Sequence, residues 1–327
     1  WTPRVGIIIG CLPKMQLKTI KIKNLITENN VFLAPLAGYT NAVFRQMCYD
    51  LGAGLTVTEM VSDKGLCYNS EKTRDLLLTT PAYGGIKACQ LFGSEPEYME
   101  RAVKSGEVAP FGIIDINMGC PMPKIYNNGD GSALMNNLPL AEKIIAAAKS
   151  GGKAVTVKFR IGLHENNIIA AEFARMCEGA GADLITVHGR TREKIYSGEV
   201  NYGAIAAAKN AVKIPVIANG GVFCKADADR LLNATGADGV AVARGAMHAP
   251  WIFAEICGKP VPDKKALIFK QIDDTVKYYG ERFACVFMRK MCAFYIKGIP
   301  NCTEIKIKLF KASTTDEVKE IIQILSF

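Results

Sequence analysis

The chain carries no Cys-x-x-Cys pair among its eleven cysteines, and the count is odd, so neither a zinc ribbon nor a redox dithiol has local support and no metal is expected. It also has no run of roughly 18 consecutive apolar residues, the length that a membrane-spanning helix needs. No basic low-complexity run is present, so its charge is spread over a folded surface. Nor does a Gly-rich dinucleotide fingerprint follow the first strand-like run, where the residues are Ala34-Pro35-Leu36-Ala37-Gly38. Histidine is scarce, and His164 and His248 fall in loops that give them no role. The opening Trp1 to Gly10 only faintly imitates a signal peptide, with a short apolar stretch and no clean cleavage site, and residues 1–17 are expected to lie outside the fold.

What is present is a chain of 327 residues, 49% hydrophobic and 22% charged, which can bury one large core with a smaller appendage. Several cysteines sit inside apolar patterns, where the reduced thiol is comfortable, and a reducing, cytoplasmic compartment is expected. The 40 Lys and Arg against 31 Asp and Glu leave a net charge of +9. That balance favours an anionic partner, whether nucleic acid, a phosphorylated cofactor or both.

Short apolar runs then alternate with helix-like segments rich in Ala, Leu, Glu and Lys. The strand candidates are 31–36, 55–58, 86–91, 112–117, 154–159, 183–188, 215–219 and 239–243, with one longer gap after the fourth. Such alternation requires parallel pairing, and eight units match a closed (β/α)8 TIM barrel better than an open doubly wound sheet. After Trp251 the rhythm becomes helical, over 266–279, 283–295, 303–310 and 315–325, with basic residues at Lys290, Lys297, Lys306, Lys308 and Lys311. Residues 18–258 are therefore expected to form the barrel, and 259–327 a small all-helical domain joined through Gly258-Lys259-Pro260-Val261-Pro262.

In such a barrel the chemistry gathers where strands end. The fourth run breaks abruptly from Ile113-Ile114-Asp115-Ile116-Asn117-Met118 into Gly119-Cys120-Pro121, presenting one thiol at a strand's carboxyl end. Cys120 could act as a proton donor or a nucleophile there, or be a small buried hydrophobe. Gln90 ends the third strand, Lys158 and Arg160 the fifth, and His188 and Arg190 the sixth. The turns Asn219-Gly220-Gly221 and Ala243-Arg244-Gly245-Ala246 end the seventh and eighth, where glycines let backbone N–H groups close around a phosphate. With a phosphate there, Lys158, His188 and Gln90 suit flavin mononucleotide, FMN. The plain alternatives are a snorkelling lysine, a histidine satisfying backbone groups and a loop-capping glutamine.

Eight motifs, in order, resemble those of the tRNA-dihydrouridine synthases. They are Ala34-Pro35-Leu36-Ala37-Gly38, Val57-Thr58-Glu59-Met60-Val61-Ser62, Gln90-Leu91-Phe92-Gly93, Asp115 to Pro121, Gly131-Ser132-Ala133-Leu134, Val157-Lys158-Phe159-Arg160, His188-Gly189-Arg190-Thr191-Arg192 and Ala243-Arg244-Gly245-Ala246. The tail from Met288 through Tyr295 with Gly298 is similar to the helical domain of the bacterial B-type branch. The resemblance implies an FMN-dependent, NADPH-driven reduction of a tRNA uridine by a monomer, with Cys120 as the acid that protonates carbon 5. It also implies that Asn117 and Arg160 hold the uracil edge. Ala34, Pro35, Leu36, Gln90, Lys158, His188, Asn219, Gly220, Gly221, Ala243, Arg244 and Gly245 would hold the flavin. Three departures stand out: Gly221-Val222 where an acidic residue is frequent, Asn201-Tyr202 for Asp-Trp, and Met291 and Phe294 at positions often held by His and Trp. A flavin barrel acting on a free pyrimidine, like a dihydroorotate dehydrogenase, and a non-catalytic tRNA-binding barrel are the rival readings.

Overall fold

The computed structural model describes residues 15–327. Eight parallel strands close into a barrel: β1 (Val31–Leu33), β2 (Leu55–Ser62), β3 (Lys87–Phe92), β4 (Ile113–Met118), β5 (Ala154–Arg160), β6 (Leu184–His188), β7 (Val216–Asn219) and β8 (Gly239–Val242). Closure comes from β8 pairing with β1, where Val242 lies opposite Leu33. Helices α1 (Ala42–Asp50), α2 (Pro96–Val103), α3 (Leu138–Lys149), α4 (Ala170–Gly179), α5 (Tyr202–Ala211) and α6 (Lys225–Thr235) belong to the outer layer. The expected (β/α)8 barrel is thus the observed fold. The long gap after β4 holds two short helical turns, Pro123–Tyr126 and Gly131–Asn136, ahead of α3.

Strand ends depart from the expected bounds for local reasons. Expected to run to Leu36, β1 stops at Leu33, because Pro35 has no N–H for the ladder and the amides of Tyr39 and Thr40 turn back to the Leu36 carbonyl. In contrast, β2 runs on to Ser62, through a register shift between Val57 and Met60. At that shift the buried Glu59 carboxylate accepts the N–H of Gly38, a donor from the loop after β1.

Side chains alternate across each strand, as a pleated backbone requires. At the amino-terminal end the inward positions Phe32, Leu55, Ala88, Ile113, Leu184 and Ile217 form one apolar cluster with Ile20 and Ile22. Ile22 belongs to a small hairpin, Lys21–Ile22 with Leu25–Ile26, that covers this end. Of the expected extension, residues 1–14 lie outside the described residues, while the Met15 amide donates to Asp229 Oδ1 at 2.7 Å.

Beyond the barrel, α7 (Lys264–Tyr279), α8 (Glu281–Tyr295), α9 (Cys302–Lys311) and α10 (Thr315–Gln323) fill the tail. Helices α7 and α8 are joined at Gly280, whose φ of 80° suits glycine. Phe287, Met288, Met291, Cys292 and Tyr295 on α8 belong to the same apolar cluster as the outer faces of the strands. The Tyr279 hydroxyl accepts the amide of Ala42 at the start of α1, at 3.0 Å. Through these contacts the tail sits beside the carboxyl-terminal rim of the barrel. Among the described residues no helix is long and apolar enough to cross a membrane.

Candidate active site

A cavity of about 460 Å³ opens at the carboxyl ends of the strands. Each strand-end residue singled out in the sequence lines it: Ala34, Pro35 and Leu36 after β1, Gln90 on β3, Asn117 and Cys120 at β4, Lys158 and Arg160 on β5, His188 on β6, Asn219, Gly220 and Gly221 after β7, and Ala243, Arg244 and Gly245 after β8. No carboxylate stands among the lining residues.

The floor is a hydrogen-bonded chain of side chains. Asp115, 4% exposed, accepts from Thr156 Oγ1 at 2.5 Å and from Gln90 Nε2 at 2.7 Å, and Gln90 Oε1 accepts from Asn117 Nδ2 at 2.9 Å. Burial pushes the Asp115 carboxyl up to about 6, against the pull of those two donors. Asn117 closes the chain at the turn, where its Oδ1 accepts the amides of Gly119 at 3.1 Å and Cys120 at 2.9 Å. That amide side chain therefore holds the turn that presents the thiol.

The thiol is gripped from the other side as well. The Cys120 carbonyl accepts Ser132 Oγ at 2.7 Å, and Gly131, at φ 60°, packs so tightly that a Cβ there would lie 2.9 Å from the Cys120 Cβ. Partial burial raises the pKa of the thiol above its usual 9.0, against the Met122 backbone and the positive charges of Arg160 and Lys158. Cys120 is consequently a neutral acid at physiological pH, poorly suited to act as a thiolate nucleophile.

Cations dominate the opposite wall. The Lys158 ammonium makes no hydrogen bond or ion pair within the described residues, and burial together with Arg160 lowers its pKa to about 8. Arg160, 2% exposed, is committed to backbone: Nε donates to the Gly119 carbonyl at 2.8 Å, and Nη1 to those of Thr191 and Ile195 at 2.9 Å each. Arg190 donates from Nε to Ser197 at 3.0 Å and from Nη2 to Gly198 at 2.9 Å, while its buried Nη1 has no partner. Arg244 Nη2 reaches the Tyr196 carbonyl at 3.3 Å. Burial, reinforced by Lys158 and these three arginines, holds His188 well below the usual imidazole range, so its ring is neutral.

Loop geometry brings the last two turns together. Gly220 and Gly221 adopt φ values of 128° and 72°. A Cβ on Gly245 would lie 2.2 Å from the Val222 carbonyl oxygen, so only glycine lets the turn after β8 approach the turn after β7. Asn219 Nδ2 ties the two strands through the Ala241 carbonyl at 2.7 Å. The amides of Arg244 and Gly245 open a short helix and have no partner within it.

Sequence reasoning missed Met60, Tyr196, Phe223 and Met247, which also line the cavity. Tyr196 and Phe223 are large rings left 45% and 47% exposed in the loops after β6 and β7. It also placed Lys290 on a free basic face, whereas this ammonium donates to the Gly38 carbonyl and lies 4.2 Å from the centre of the Tyr39 ring. Met291 is fully buried, and Phe294 meets Tyr39 edge to face at 5.7 Å.

A parallel barrel with a cation-walled cavity at its carboxyl ends has the architecture of a barrel enzyme. Comparison with known proteins narrows this further. The family profile of the dihydrouridine synthases (Dus) matches residues 32–326, and the chain belongs to that family. It is 36% identical over 314 residues to a probable tRNA-dihydrouridine synthase of Rickettsia prowazekii (strain Madrid E), covering 93% of this chain and 96% of that one. It is 33% identical to tRNA-dihydrouridine synthase B of Pseudomonas aeruginosa (strain PAO1) over 311 residues, 92% of this chain and 93% of that one. Among solved structures, histamine dehydrogenase from Rhizobium sp. 4-9 superposes with a TM-score of 0.57 at 14% identity, over 84% of this chain and 50% of that one. This last likeness is one of fold alone, and the chain spans about half the length of that structure.

Proposed function

We propose that the protein is an FMN-dependent tRNA-dihydrouridine synthase that uses NADPH to saturate the bond between carbons 5 and 6 of a tRNA uridine. Residues 18–258 carry the flavin and the chemistry, and residues 259–327 grip the tRNA. The observation that carries this reading is a thiol kept protonated, on a rigid turn, facing a cavity whose Lys158 ammonium has no hydrogen-bond or ion-pair partner within the described residues.

The residues fit the cofactor. Arg190 Nη1, buried and unpartnered, lies 3.5 Å from where a Cβ on Gly220 would sit, and with Arg244 and the amides of the two glycine turns it answers a phosphate. The solitary Lys158 ammonium and the neutral His188 face the electron-rich parts of a flavin ring, and the remaining Nε2 hydrogen of Gln90 is available to its edge. Ala34, Pro35 and Leu36 supply an apolar wall. The flavin, when bound, supplies hydride to the uracil ring.

The chain's own residues do the rest. Cys120 gives its thiol proton to carbon 5, so that hydride and proton together add the elements of hydrogen across the double bond. Nearby Lys158 and Arg160 favour the thiolate left behind until solvent returns the proton. The uracil edge is held by Asn117, whose second Nδ2 hydrogen has only the Met60 sulfur at 3.9 Å, and by Arg160 Nη2, which makes no hydrogen bond within the described residues. To reach this depth the base must leave its stack, at a cost of a few kcal/mol that is smallest in an unpaired loop. Lys297, Lys306, Lys308 and Lys311 form no ion pairs within the described residues and are left to meet phosphates.

The test is nucleoside mass analysis of tRNA from cells lacking their own synthases, after incubation with the protein and NADPH. A gain of one hydrogen molecule's mass on uridine is expected. A yellow protein that leaves tRNA unchanged would overturn the substrate, and a colourless one the cofactor.

A further inference from the structure

We propose that the rim of the cavity is a stacking track for the unpaired bases flanking the target uridine, so that the protein takes its base from a single-stranded segment by grasping the neighbours' ring faces. The inference rests on the functional reading above and deepens it by specifying the form of the substrate.

The rim is a succession of flat groups. The Arg244 guanidinium lies 4.9 Å from the centre of the Tyr196 ring and 5.8 Å from that of Phe223. Phe223 is followed by His248 at 6.2 Å, His248 by Phe294 at 5.2 Å, and Phe294 by Tyr39 at 5.7 Å. These groups come from the loops after β6, β7, β8 and β1, which are adjacent around the barrel, and from α8. Tyr39, Tyr196, Phe223 and Arg244 line the cavity along one arc of its mouth, and His248 and Phe294, outside the lining, link Phe223 to Tyr39. Burial and the charges of Lys297, Arg244 and Lys306 lower the pKa of His248, so its ring is uncharged at neutral pH.

Folding does not account for this arrangement. Tyr196 and Phe223 are among the more exposed large side chains of the protein, yet both face the cavity. Exposed rings beside guanidinium planes and unpaired lysines suit a partner that alternates flat π-faces with anions, which is a nucleic-acid strand with its bases splayed out. A duplex would hide those faces. Because every base has one, the track tolerates any flanking sequence while requiring that the flanks be unpaired.

The experiment measures equilibrium binding of the flavin-loaded protein to a short single-stranded RNA with a central uridine, and to copies with an abasic site at one flank or the other. At one flank or both, loss of the base should weaken binding roughly 5- to 150-fold, the range expected for base stacking on an aromatic ring. Phe223→Leu, which keeps bulk and apolarity, should cost a similar factor on intact RNA and make binding insensitive to at least one abasic site. Phe223→Trp should restore both affinity and sensitivity, a rescue that a purely structural role would not give. The track is overturned if neither abasic site weakens binding to the wild type, or if Phe223→Leu and both abasic penalties multiply as independent effects. Failure of the functional reading looks different: tRNA would go unreduced by the wild type, whatever the binding results.

Discussion

The two ends of the barrel are made by the same strands and obey opposite rules. At the amino-terminal end, inward positions are Phe32, Leu55, Ala88, Ile113, Ala154, Leu184 and Ile217, closed over by Ile20 and Ile22. A few residues further along those strands, the inward positions are Gln90, Asp115, Lys158 and His188, with Arg160, Arg190 and Arg244 around them. One end lowers its free energy by excluding water from apolar surface. The other holds buried cations with too little to answer them, which raises the free energy of the folded chain until a ligand arrives. Stability and function are thus separated along the strand axis.

That separation can be broken by exchange of effects, beginning with the largest. Cys120→Ala should lower tRNA reduction by about 10²- to 10⁴-fold, the usual worth of a positioned acid, while bound flavin absorbance and thermal midpoint stay near wild type. A large fall in the midpoint would mean that the thiol is structural. At the opposite end, Ile113→Ala should cost roughly 2–5 kcal/mol in denaturant unfolding, and an unmoved midpoint would show that the apolar end is not the stabilising one. Lys158→Met should do the reverse of Ile113→Ala, raising the stability of the flavin-free protein at neutral pH by about 3 kcal/mol at most while weakening flavin retention.

The most gradual effect is in pH. The Lys158 pKa falls from 10.5 to about 8 on folding, so between those values the unfolded chain holds the proton that the folded chain has given up. Stability of the flavin-free protein should therefore rise with pH across that window relative to Lys158→Met, and the gap between the two should close. Parallel curves from pH 8 to 10 would show that Lys158 is not desolvated.

Much of this was legible in the sequence because the barrel writes one strand at a time. β-Branched runs such as Ile113-Ile114 and Val155 to Val157 mark buried parallel strands, and the residue that breaks each run marks its functional end. What could not be read depends on partners from elsewhere. The length of β2 reflects a donor, the Gly38 amide, that reaches Glu59 from another loop. Lys290 counts as surface charge until α8 is seen delivering it to the Gly38 carbonyl. Asn117 reads as a ligand for substrate, and only the fold shows that its oxygen also shapes the Cys120 turn. The aromatic rim is invisible in sequence because its members are scattered from Tyr39 to Phe294 and meet only after the barrel closes.

The apolar face of α8 bears on how such a molecule can change over time. Phe287, Met288, Met291, Cys292 and Tyr295 share one continuous core with the barrel's outer layer, and the Tyr279 hydroxyl caps the first amide of α1. A barrel deprived of these helices would expose that surface and orphan that amide, so it would be prone to aggregate. The two parts are therefore not interchangeable cassettes. If the tail grips tRNA as proposed, a lineage that altered it to recognise a different RNA would have to do so on the outward faces of α9 and α10, leaving the seam with the barrel as it is.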